Sequence, residues 1–235
     1  MQLHRSLDDN GVLTLALDDG AKNALGTEAF DKIIAAFDEA GDDVRAFVLT
    51  GREEIFTAGL DVKFLGSATG DEVGAMLIRF GEALMRVWGE GRPTVAACTG
   101  HAIAAGTMFA MACDHAVAAE GRYRWGLTET QVGVEIPMYG IEIARGNVAA
   151  HRVDDLLVPG AVVDPDTAVE VGFADELAPL DAVLATAQAK AAALAELPSA
   201  AYAGTKTRLR GAVIERTLTN LHADIAAVMV TAPFG

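Results

Sequence analysis

The sequence predicts an α/β fold with a helical C-terminal portion. Three observations carry this. Short apolar runs of strand length alternate with segments whose apolar residues recur every three to four positions. The alternation ends near Pro179, and only helical periodicity follows. Residues 46–50 read as a short buried strand, as a sheet covered by helices requires.

The elements follow in order. Residues 12–17 alternate apolar with small or polar side chains, start after the Asn10-Gly11 turn pair and stop at Asp18-Asp19-Gly20, so they read as a strand. Residues 27–40 carry Phe30, Ile33, Ile34 and Phe37 at helical spacing, with Thr27 as the expected N-cap. Residues 46–50 form a short buried strand closed by Gly51. Residues 72–89 form a second amphipathic helix with Val73, Met76, Leu77, Phe80, Leu84 and Val87 on one side, and Pro93 ends the connection after it. Residues 94–98 read as a strand, 106–112 as a helix and 116–119 as a strand. Residues 135–147 are helical with a proline near their start, and Asp164-Pro165 caps another helix. Residues 181–197 are alanine-rich and helical, and 207–230 form a further long helix or helix pair. No sequence repeats at a fixed period.

A chain of 235 residues is one large domain or one and a half. At this length roughly 70% of the unfolded surface is hidden on folding, so a full core forms without staples. The 51% hydrophobic and 22% charged residues exclude bulk disorder. Two cysteines, Cys98 and Cys113, exclude a disulfide framework, and the scattered histidines lack metal-ligand spacing. A net charge of −15 argues against nucleic acid and anionic membrane as partners. A small anionic ligand would need backbone N–H groups and a few lysines to hold it. The first nine residues are polar, and the most apolar stretch, 102–113, suits a buried helix and falls short of a membrane span. The expected location is the cytoplasm.

Three segments could carry chemistry. Residues 55–64 (IFTAGLDVKF) set small residues beside a glycine, which lets backbone N–H groups approach a ligand; a tight turn before a helix would use the same residues. Residues 98–108 (CTGHAIAAGTM) run from a strand into a loop that opens a helix. Free N–H groups at such a helix start, aimed at a carbonyl, make an oxyanion site; close packing of a central helix favours the same small residues. Residues 125–137 contain Glu129 among apolar neighbours, where a carboxylate's pKa rises toward neutrality; a solvated glutamate at a turn is the plainer account. Cys113-Asp114-His115 has nucleophile-group composition, but adjacent side chains point apart. His101 could reach a ligand or simply pack. No phosphate loop is present.

Taken in this order, the segments resemble the enoyl-CoA hydratase/isomerase (crotonase) superfamily over most of the chain. Lys22-Asn23-Ala24-Leu25 is similar to the family's N-A-L segment. Residues 56–63 (FTAGLDVK) resemble its F-S-A-G-x-D-[LIV]-K motif. Residues 99–106 (TGHAIAAG) resemble its N-G-x-A-x-G-G-G turn, followed by Ala112-Cys113-Asp114. The resemblance implies a spiral of β-β-α units, residues 1–179, as the acyl-CoA-binding catalytic core. Residues 180–235 would form a helical region supporting trimers or hexamers. The substrate would be a coenzyme A thioester, with no separate cofactor and no metal. The Leu60 and Ala105 N–H groups take the oxyanion-donor positions. Lys22, Ala24, Ala58, Asp61, Val62 and Lys63 fall where the family contacts coenzyme A, with His101, Met108 and Glu135 near the substrate.

The departures are informative. The family's hydratases hold a water between two glutamates. Met108 stands at the first position and Glu129 at the second. One carboxylate suits a double-bond shift, and residues 126–133 (GLTETQVG) resemble the isomerases' G-L-N-E-T-x-L-G. The expected reaction is 3-enoyl-CoA to 2-enoyl-CoA isomerisation with Glu129 moving the proton. The alternatives are a hydratase using Glu135, or less readily His101, as its second acid, and a non-catalytic acyl-CoA binder. Met76, Phe80 and Leu84 fit either a tail pocket or the core.

Overall fold

A computed structural model describes residues 1–233. The chain opens with an antiparallel pair, β1 (Gln2–Leu7) and β2 (Val12–Asp18). The turn between them is closed by Asp8, whose Oδ1 accepts from the Asn10 and Val12 N–H groups at 2.9 and 2.8 Å. Helix α1 (Thr27–Asp38) follows.

Three β-β-α units come next. The first is β3 (Ala46–Thr50), β4 (Glu54–Thr57), the short α2 (Val62–Leu65) and α3 (Gly70–Trp88). The second is β5 (Thr94–Cys98), β6 (Gly100–Ile103) and α4 (Ala105–Ala112). The third is β7 (His115–Ala119), β8 (Trp125–Gly126), a 3-10 turn at Glu129–Val132 and α5 (Met138–Asn147). The chain then forms α6 (Val153–Leu157), α7 (Pro165–Val171), β9 (Glu176–Ala178), α8 (Val183–Ala195) and α9 (Ser199–Thr231).

Each unit gives its first strand to a large sheet of order β1-β2-β3-β5-β7-β9 and its second strand to a small sheet of order β4-β6-β8. Beyond the β1–β2 pair, every strand pairing is parallel. The path is therefore a spiral, one turn per unit.

Side-chain alternation divides the large sheet into two buried faces. Leu13, Leu15, Phe47, Leu49, Ala96, Cys98, Ala116 and Ala118 face the main core, with α1, α3, α4 and α5. Val12, Ala46, Val48, Val95, Ala97, Val117 and Ala119 face the other way and are covered by α8 through Val183, Ala187 and Ala191. Small residues on both surfaces let helix and sheet approach closely. Helix α9 lays Leu221 and Ile225 against the main core and is tied down by Asp114, which receives Lys206 Nζ and Arg210 Nη1 at 2.8 Å each. Among the described residues no helix is long and apolar enough to cross a membrane.

Several local expectations need correction. Thr27 is the first residue of α1, and its cap is Gly26, whose carbonyl accepts from Ala29 N–H at 2.9 Å. The helix expected over 135–147 begins at Met138, because Pro137 serves as its cap. The glycine-rich loop at 100–103 is strand β6. Strands β1, β4, β8 and β9 had no counterpart: β1 is polar and at a sheet edge, and β4, β8 and β9 have only two to four residues. The α9 helix starts eight positions earlier than the 207–230 segment and is continuous.

Candidate active site

Two loops meet where the small sheet touches α4. The first follows β4. It is held by residues 22–25 through Ala58 N–H to Lys22 O at 3.0 Å, Leu25 N–H to Gly59 O at 2.8 Å and Asp61 N–H to Leu25 O at 2.9 Å. Buried Asn23 locks the two segments, donating from Nδ2 to Leu17 O and Phe56 O at 2.9 and 3.1 Å. This pairing binds Gly59 and Asp61 and turns the Leu60 N–H outward, without a partner among the described residues.

The second loop joins β6 to α4. Ala104 N–H donates to Gly126 O at 2.8 Å, and Thr107 Oγ1 donates to Ala102 O at 2.7 Å while accepting from Gly126 N–H at 3.1 Å. Ala104 sits at φ +52, ψ −112, a conformation costly for a residue with a Cβ. Ala105 is then the first helical residue, where no carbonyl of the helix lies one turn back, and its N–H has no partner among the described residues.

Glycines allow the two loops to meet. A Cβ on Gly106 would come within 2.9 Å of the Thr57 carbonyl oxygen. Gly59, at φ +94, would place a Cβ 3.2 Å from that of Ala104 and 3.8 Å from Ala105 N. Two free donors thus stand beside each other at the wall of one cavity, which Ala58, Leu60 and Ala104 line. Such a pair can grip one carbonyl oxygen.

The cavity measures about 130 Å³ and continues between Val62, Leu77, Phe80, Met108, Val134 and Tyr139. Glu129 enters it from the 3-10 turn, which follows β8 and is braced by Gln131 Nε2 on Gly160 O at 2.7 Å. The residue as a whole is half-buried, yet its Oε2 is shielded from solvent and has no partner among the described residues. Burial pushes its carboxyl up to about 7. Among the described residues Glu129 is the only carboxylate lining the cavity. A carboxyl titrating there can take a proton and return it near neutral pH.

Of the residues singled out in the sequence, Ala58, Leu60, Val62, Met108 and Glu129 line this cavity, and buried Ala105 stands directly behind its wall. Lys22 and His101 line a separate hollow with Glu53, Glu54, Arg122 and Tyr123. His101 Nδ1 accepts there from Arg124 N–H at 3.1 Å, which leaves it no approach to Glu129. Asp61 caps α2, accepting from Lys63 and Phe64 N–H, and Ala24 is held by Asp19 at 2.9 Å. Lys63 is exposed.

Glu135 does not line the cavity: it is exposed and accepts from Thr231 Oγ1 on α9 at 2.8 Å. Its position beyond the Gly133 turn carries it to the outside. The Cys113-Asp114-His115 run is also divided, with Asp114 anchoring α9 and His115 facing Glu176 at 3.2 Å. Among Met76, Phe80 and Leu84 only Phe80 lines the cavity; the other two are core. Tyr139 and Leu77 also line it without having been singled out for it. Tyr139 looked like an ordinary helix residue after a proline, and only tertiary packing brings it in.

The model of the family described as enoyl-CoA hydratase/isomerase matches residues 8–232. The chain is 33% identical over 202 residues to the "Probable enoyl-CoA hydratase echA17" of Mycobacterium avium (strain 104), covering 84% of this chain and 77% of that one. It is 26% identical over 219 residues to the human mitochondrial enoyl-CoA delta isomerase 1, covering 92% and 72%. The crystal structure of human mitochondrial delta3-delta2-enoyl-CoA isomerase superposes with a TM-score of 0.93 at 24% identity, over 98% of this chain and 91% of that one, and shares the fold. A spiral with paired free donors, matched end to end by the family model, places this chain in the enoyl-CoA hydratase/isomerase family of enzymes.

Proposed function

We propose that the protein moves the double bond of a 3-enoyl-CoA thioester to the 2-position. The observation that carries this reading is the solitary carboxylate: Glu129 lines the cavity while Met108 lines it nearby, and Glu135 is outside. Water addition needs a second acid–base group to hold and split the water; a proton shift along one carbon chain needs only one.

In this reading the thioester oxygen lies against the Leu60 and Ala105 N–H groups. The Glu129 carboxylate takes a proton from C2, and the electron pair moves through C1 onto the oxygen, giving a dienolate. The two N–H groups stabilise the oxyanion, each worth roughly 3–4 kcal/mol of barrier. Glu129 then returns the proton to C4, which leaves the double bond between C2 and C3. Atoms and charge balance without any added reactant. The nearby human relative named as a delta isomerase supports the same chemistry.

The test is isomerisation of 3-hexenoyl-CoA by the wild type and by Glu129→Gln. A loss of about 10²–10⁴-fold in kcat is expected, the range for removing a general base. Full turnover by Glu129→Gln, or hydration of crotonyl-CoA outpacing isomerisation in the wild type, would overturn the assignment.

A further inference from the structure

We propose that the acyl group this site accepts is short and bears an acceptor oxygen on its chain, recognised by the hydroxyl of Tyr139. The inference rests on the cavity being an acyl-CoA site and adds a substrate class to that reading.

Tyr139 is fully buried and lines the same cavity as Glu129. Its ring meets Phe80 edge-on at 5.2 Å between centroids. It also presses on Gly81, where a Cβ would come within 2.7 Å of the ring. Those contacts fix the ring. The hydroxyl, however, has no partner among the described residues. A buried hydroxyl left unpaired costs stability that a phenylalanine of the same shape would keep. Burial and the neighbouring Glu129 charge raise the phenol well above its ordinary pKa, so it stays protonated and offers a donor.

Leu77, Phe80, Met108 and Val134 around it are apolar, and Glu129, the acidic group on the same cavity, makes no hydrogen bond to the hydroxyl. A ligand oxygen would satisfy it, whereas a hydrocarbon tail would strand it. The size points the same way. A cavity of about 130 Å³ is close to the roughly 150 Å³ that holds one benzene, so it suits a short acyl group.

Calorimetry with saturated esters, which undergo no double-bond shift, tests this. The pairs are 5-oxohexanoyl-CoA with 5-methylhexanoyl-CoA and 4-oxopentanoyl-CoA with 4-methylpentanoyl-CoA, in which a carbonyl replaces a methyl branch at nearly equal volume. In at least one pair the oxo ester should bind the wild type about tenfold or more tighter, as sites built to pair a polar group discriminate strongly. Tyr139→Phe should abolish the preference and leave methyl-ester binding within about twofold, since only a hydroxyl is lost. No preference in either pair, or one that survives Tyr139→Phe, would overturn the proposal. So would an equal loss for both esters with a shifted pH–rate midpoint, which would assign the hydroxyl to holding Glu129. If the methyl esters bind and isomerisation proceeds without any oxo preference, this inference fails alone. If no ester binds, the acyl-CoA reading fails with it.

Discussion

The cavity wall is built by two opposite means. At what the proposed reading makes the thioester end, the groups are backbone N–H groups of Leu60 and Ala105, presented by loops in which glycine and alanine let main chain touch main chain. The helices contribute side chains: Leu77 and Phe80 from α3, Met108 from α4 and Tyr139 from α5. The first part depends on where the chain goes and tolerates little change of shape. The second depends on what fills a space between helices and can be re-cut by substitution. Glu129, from the 3-10 turn, belongs to neither, since its value lies in its surroundings.

The largest effect should come from the side chains that the helices contribute. Met108 is fully buried and its Cε lies against Gly140, where a Cβ would meet it at 2.7 Å. Met108→Ala should cost about 2–5 kcal/mol of stability through the cavity it leaves. The enlarged pocket should favour longer acyl chains, and the oxyanion loops should be untouched. Denaturant melts and a chain-length series of 3-enoyl-CoA esters check both. Unchanged stability, or a kcat loss uniform across chain lengths, would show that the two parts are not separable.

Glu129 gives the next effect. Its carboxyl titrates at about 7 in the folded chain against 4.5 as its ordinary value, so the folded state keeps a proton that the unfolded chain releases. The stability this protonated group lends is present below pH 4.5 and is lost as pH rises toward 7. The gap corresponds to about 3 kcal/mol at most. Glu129→Gln should therefore be more stable than the wild type at pH 8 and equal to it near pH 4, while wild-type turnover rises with pH to a plateau above about 7. Denaturant midpoints at the two pH values decide it; equal midpoints at pH 8 would mean the carboxyl is better solvated than its packing implies.

The same contrast explains what could be read from residues alone. The meeting of the two loops was legible because its geometry is local: residues 57–61 and 104–106 carry their small residues in consecutive order, and the free N–H groups follow from the backbone. The α/β alternation was legible for the same reason, since the strands of the large sheet and the amphipathic α3 each declare themselves within one window. Tyr139 was not, because its neighbours Phe80 and Gly81 lie some sixty positions earlier. Nor was the exclusion of Glu135, which follows from the Gly133 turn at φ +78 and a contact with Thr231 at the other end of the chain. Strands β6 and β8 escaped because four and two residues are too few to show a period.

A third change breaks the thioester end. Gly106→Ala would set a methyl 2.9 Å from the Thr57 carbonyl and force α4 away from the β4 loop. The donors would part by a fraction of an ångström, and misplacement on this scale costs about 10²-fold in rate. The loss should fall on kcat equally for every chain length, unlike that of Met108→Ala. A chain-length-dependent loss would show that the helix shift reaches the helical side chains as well.

The smallest effect is a gain. Ala104 holds φ +52 at the turn into α4, where only the absence of a Cβ removes the clash. Strain of this kind costs about 1–3 kcal/mol, while a glycine loses about 0.5–1 kcal/mol more backbone freedom on folding than alanine. Ala104→Gly should therefore stabilise the chain by about 1 kcal/mol, raising Tm by roughly 2–4 °C at this size. The Ala105 N–H is set by the Ala104–Gly126 bond and the Thr107 bracket, so kcat should stay within about twofold, because neither bond involves the methyl removed. A stabilised variant with a large fall in kcat would mean that the methyl of Ala104, which lines the cavity, itself helps to seat the substrate.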